Sequence, residues 1–119
     1  MENSSLKKAT IHRYCCLPFT KEFENQSLTI ITSAGIITGT PVIKTENDES
    51  IMLIADVNNK VSNDYRKNIS IKDDYPLPGS DGFFMLKDVK LVSSSTVVSF
   101  NVLNVFYDQV IAITVTPKQ

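Results

Sequence analysis

Apolar and polar positions alternate most clearly from Leu28 to Ile43, LTIITSAGIITGTPVI. Ile, Thr and Val dominate this stretch, and β-branched side chains suit a pleated, half-buried surface. Ser33-Ala34-Gly35 interrupts it, so the pattern predicts a β-hairpin with Gly35 at the turn. Leu28, Ile30 and Thr32 fall on one face of the first strand, and Thr29, Ile31 and Ser33 on the other. IMLIADV, residues 51–57, is short and apolar and lies between a polar stretch at 44–50 and Asn58-Asn59-Lys60, which predicts a further strand. FFMLKDVKLV, residues 83–92, predicts another, with Phe84, Leu86, Asp88 and Lys90 on one face and Phe83, Met85, Lys87, Val89 and Leu91 on the other. Ser93-Ser94-Ser95 turns the chain, strands follow at 96–105 and 108–116, and Pro117 ends the last.

The remaining segments are less regular. Residues 9–17 fit an edge strand or a helical arm. Pro18–Asn25 fits a short helix, with Pro18 at its first position and Phe19 and Phe23 on one face, or an extended arm anchored by those two aromatics. Residues 61–82 read as a loop, with Pro76, Pro78, Gly79 and Gly82 and a short strand at 69–71. A loop of about 20 residues is long for a compact domain. Within it Tyr65, Tyr75 and Arg66 either contact a ligand or pin the loop to the body. The elements add up to a mostly β chain with five or six strands. Short connections predict an antiparallel meander that bends into a small barrel of Sm-like or SH3-like type, preceded by a short N-terminal helix or arm.

The 119 residues fit one domain, 1–119, with an arm or helix at 1–27 and an insertion or long loop at 44–82. The net charge of −1 excludes a strongly cationic protein. Lys7, Lys8, Arg13 and Lys21 outnumber Glu2 and Glu22 at the start, whereas acids outnumber bases across 44–82. So mild an asymmetry gives no long-range pull toward phosphate, and DNA is not expected as a partner. No apolar run reaches about 18 residues and no leader pattern opens the chain, so a cytoplasmic protein without membrane contact is expected.

The hairpin and the C-terminal strands together resemble the Sm-like (LSm/Hfq-type) family. The resemblance rests on LTIITSAGIITGTPV, with Gly35 at the turn and Gly39 where the next strand bends, and on FFMLKDVKL with Leu86, Asp88 and Val89. IMLIADV, with Asp56 and Val57, is a second candidate for that third strand. NVLNVFYDQVIAITV follows the layout of the family's last two strands. Gly39 also has its own physical reason, because a residue without Cβ permits a sharp bend. The resemblance implies an N-terminal helix, five bent strands and a homo-oligomeric ring of about five to seven copies joined by edge strands. It also makes RNA a candidate ligand at the ring surface. Family members that bind RNA carry Arg or Lys followed by Gly at the last turn, where this chain has Val105-Phe106-Tyr107. The contacts expected here are therefore Phe106 or Tyr107 stacking on a base, with Asn104 and Asp88 nearby. Alternatively, Phe106 and Tyr107 pack against a neighbouring subunit or the arm. The second function class is a structural or protein-interaction barrel that binds no nucleic acid, with 44–82 as its contact surface.

Other chemistry is sparse. His12, Cys15 and Cys16 offer three metal ligands without a fourth, so neither a metal nor a cofactor is expected. Glu46, Asp48 and Glu49 lack the EF-hand spacing. The paired acids Asp73-Asp74 read as a solvated loop. No nucleophile elbow, phosphate loop or Ser/His/Asp set is present, which argues against an enzyme.

Overall fold

The computed structural model of the chain describes residues 5–43, 47–72 and 77–118. Helix α1 spans Leu6–Cys16, which decides the open choice for residues 9–17 in favour of helix. Ser5 caps it, its Oγ accepting from the Lys8 N–H at 3.1 Å. The buried stripe of α1 is Lys8, Ile11 and Cys15, one turn apart each. The expected helix over Pro18–Asn25 is instead two 3₁₀ turns, Leu17–Phe19 and Lys21–Phe23. Thr20 adopts an extended conformation between them, and that breaks the helix.

Strand β1, Gln26–Thr32, and strand β2, Gly35–Pro41, form the predicted hairpin around Ser33-Ala34. Gly35 has φ +142°, and a Cβ there would run into the Val92 carbonyl. Leu28 and Ile30 are fully buried on one face of β1, while Ile31 on the other is 44% exposed.

The segment after β2 departs from expectation. IMLIADV is not a strand, and residues 61–68 are not loop. Both belong to α2, a 20-residue helix over Glu49–Asn68. Its ends obey helix chemistry. Asp48 caps the start by accepting from the Ile51 N–H, and Arg66 and Lys67 sit in the last turn, where cations favour the carbonyl end. Ile69–Ile71 forms no strand, and Ser70 takes φ +60° as the helix unwinds.

Strands β3, Phe83–Ser93, and β4, Thr96–Phe106, pair along their length through a turn at Ser94. A 3₁₀ turn at Tyr107–Gln109 leads into β5, Ala112–Pro117, which returns to pair with β1. The result is one five-stranded antiparallel sheet in the order β4-β3-β2-β1-β5. There is no sixth strand among the described residues. β4 and β5 do not pair with each other, so the sheet keeps two edges rather than closing.

The predicted facing of β3 holds only in part. Thr38 pairs with Lys90 and Thr40 with Lys87, so one residue of β2, Gly39, opposes two of β3, Asp88 and Val89. Asp88, at φ +52°, is the extra residue of this bulge. The bulge switches the phase, so that Phe84, Leu86 and Val89 all reach the core and Asp88 is exposed. Gly39 lies opposite the bulge, and a Cβ there would sit 3.1 Å from the Lys87 carbonyl oxygen. The core gathers Leu28, Ile30, Ile37, Leu86, Val89 and Val105 under Ile11 and Cys15 of α1. Each such side chain contributes about 1.5–3 kcal/mol by leaving water.

Candidate functional site

Three features of this fold can engage a partner: a cleft between the helices, the sheet edges, and an apolar row on the face opposite α1. The cleft, of about 470 Å³, lies where α1 and α2 approach each other past the end of β2. Tyr107 forms its floor. The phenol ring stacks on Phe84 with centroids 5.4 Å apart and meets His12 edge-on at 5.3 Å. Its hydroxyl bonds His12 Nε2 at 2.5 Å, and Lys8 Nζ stands 5.3 Å from the ring centroid. Burial pushes the Tyr107 hydroxyl up to about 12, with the nearby Cys15 adding to it. Burial, with the Lys8 charge second, holds His12 below the ordinary histidine value, so the imidazole is neutral at pH 7. Lys8 donates to the Leu77 carbonyl at 2.9 Å, and burial lowers its pKa against the opposing pull of Asp81.

The His12-x-x-Cys15-Cys16 spacing brings these groups to one side of α1. His12 Nε2 is held by Tyr107, and burial, with Cys16 second, pushes the Cys15 thiol up to about 12. No group of three metal-binding side chains occurs among the described residues. Among the described residues, the cleft is lined without a carboxylate, lysine or arginine.

The residues expected to meet RNA are not gathered into one site. Tyr107 is buried. Asn104 faces away from the core between Leu103 and Val105, and exchanges two hydrogen bonds with Asn58 of α2, at 2.8 and 3.0 Å. Phe106 is exposed and rests edge-on against Phe83. Asp88 lies elsewhere, in a polar hollow with Thr38, Thr40 and Lys90. Of the residues expected either to bind a ligand or to pin the 61–82 segment, Tyr65 donates to Asp81 and Arg66 to the Lys72 carbonyl, which are pinning contacts. Tyr75, Asp73-Asp74 and Glu46 lie outside the described residues.

The sheet leaves β4 and β5 as its two unpaired edges. β4 presents eleven residues without a charge, and Val97 and Val98 are exposed on it. β5 forms the other edge, with Ile111 exposed beside it. Across the sheet, Ala112, Ile31, Ile36, Val92 and Val97 stand in register on five successive strands, all exposed. Helix α2 is likewise half covered. Ile51 and Asn58 are buried, and Asn59 and Ser62 face the cleft. Leu53, Val57 and Val61, on the flank of the helix away from the cleft, are exposed.

Comparisons with family models, with curated proteins and with solved structures find no match for this chain. No helix among the described residues is long and apolar enough to cross a membrane.

Proposed function

We propose that this chain is a non-catalytic, self-assembling scaffold whose copies join by their sheet edges. The observation that carries this reading is β4, an uncharged, eleven-residue edge strand with exposed valines. Unpaired edges of this kind recruit another strand, and soluble proteins normally blunt them with charges or proline. The bend at Gly39 and Asp88 and the N-terminal helix support the Sm-like resemblance and its barrel-like curl. Pairing β4 of one copy with β5 of the next is a head-to-tail contact, and such contacts close into rings where the rotation between copies closes. The ring of about five to seven copies belongs to this reading.

RNA has less support as the ligand, because Asn104 and Tyr107 are already engaged inside the molecule. Of the two aromatic residues expected to stack on a base, Phe106 is the exposed one. Native mass measurement tests the assembly. A species of about five to seven times the 13.3 kDa chain mass is expected, and a monomer at micromolar concentration sinks the reading. Lysines at Val97 and Val98 should dissociate the assembly. An oligonucleotide titration at low salt then tests RNA, where absence of binding removes it as the ligand.

A further inference from the structure

We infer that α2 is a clamp on the neighbouring copy, its Leu53–Val57–Val61 stripe covering Ala112 and, at its rim, Ile31 of that copy. The inference rests on the edge-paired assembly and names the surface that completes it. α2 lies on the outer face of the sheet, tied to β4 by Asn58 and Asn104. Its cleft-facing residues look toward β3 and the end of β2. The stripe on the flank away from the cleft therefore overhangs the free edge of β4, where no further strand of the same chain lies. A helix is about 10–12 Å across and strands are about 4.8 Å apart, so the overhang reaches roughly one strand past the edge.

A strand added antiparallel to β4 puts its first residues beside the last residues of β4. For β5, which starts at Ala112, that places Ala112 at the level of Asn104, beneath α2. Ile31 is paired with Ala112, so in the incoming copy it lies one strand further out, at the rim of the stripe. Both surfaces are apolar, both are uncovered in one copy, and the same pairing brings them together. The area argues the same way. A six-residue strand is about 20 Å long and cannot alone supply the roughly 800 Å² per partner of a stable interface. Leu53 to Val61 adds about 12 Å of helix face.

Native mass measurement and dilution on the full chain test the clamp, using Val57→Glu, Ile31→Lys and the double variant. Both positions are exposed in a single copy, and circular dichroism checks that each variant folds. Val57→Glu is expected to raise the concentration needed for assembly at least about tenfold. The double variant is expected to recover most of this loss, because the new charges then face each other across copies. A wild-type assembly that Val57→Glu leaves intact overturns the clamp but not the edge pairing. Dissociation that Ile31→Lys fails to rescue overturns the assignment of the covered row. A wild-type chain that never assembles removes both.

Discussion

Replacing Asn58 or Asn104 by alanine should free α2 without unfolding the sheet. The two amides exchange a pair of hydrogen bonds, and Asn58 is one of only two α2 side chains that are buried. Either substitution deletes both bonds and strands the other amide at the helix–sheet contact. At about 1 kcal/mol net per bond the expected loss is about 2 kcal/mol. That is roughly a thirtyfold rise in the population with α2 undocked. Amide hydrogen exchange is the assay, read over residues 52–66 against the β1–β2 hairpin. Protection of α2 should fall about thirtyfold while the hairpin is unchanged, because the helix opens as a unit of its own. The double alanine variant should fall no further than either single one, a coupling of about 2 kcal/mol. Two results would refute the reasoning: losses that simply add, or equal loss of protection in the hairpin.

Other tests probe the core and the cleft. Because burial holds His12 below its ordinary value, the unfolded chain takes up that proton first as pH falls. Thermal stability should therefore decline as pH drops through about 6.5, and His12→Gln should flatten that slope. Gly39→Ala should cost about 1–3 kcal/mol in urea unfolding, as its Cβ meets the Lys87 carbonyl oxygen at 3.1 Å. Gly35→Ala, at φ +142° and against the Val92 carbonyl, should cost more, and a wild-type midpoint would contradict the turn geometry. One thiol, Cys16, should react with a chromogenic disulfide in the native protein, and Cys15 only on unfolding.

The strands were legible because their pattern is local. β1, β2, β3 and β4 all fall where β-branched and aromatic residues cluster between turns. α2 was hidden because IMLIADV has strand length and composition, and Asn58-Asn59 resembles a turn. Its signals were present all the same: Asp48 before the first turn, and Ile51, Ile54, Val61 and Tyr65 at helical spacing, with Asn58 filling the gap. Hydrophobic patterning could not find α1, because its buried stripe begins with a lysine. The bulge at Asp88 did leave a mark, because the apolar positions slip from Phe84 and Leu86 to Val89 and Leu91 across the polar pair Lys87-Asp88, a slip that a strict two-residue period overrides. Tyr107 looked available for a ligand because its partners, His12 and Phe84, are distant along the chain. Tertiary closure of that kind has no local signature.

The fastening of α1 also sets the order in which the chain can be finished. The Ser5 N–H reaches the Gly79 carbonyl at 3.0 Å, the Ser5 hydroxyl bonds that of Ser80, Lys8 holds Leu77, and His12 holds Tyr107. Synthesis runs from the N-terminus, so α1 emerges long before any of these partners exists. At about 5–20 residues per second, some 5–20 seconds pass before Tyr107 is translated. Throughout that interval Ile11 and Cys15 lack Val105, Tyr107 and Val110, the last-made residues of their core. An early element is therefore among the last to be seated, and a chain stalled ahead of Tyr107 would present it to any chaperone that binds exposed apolar helices.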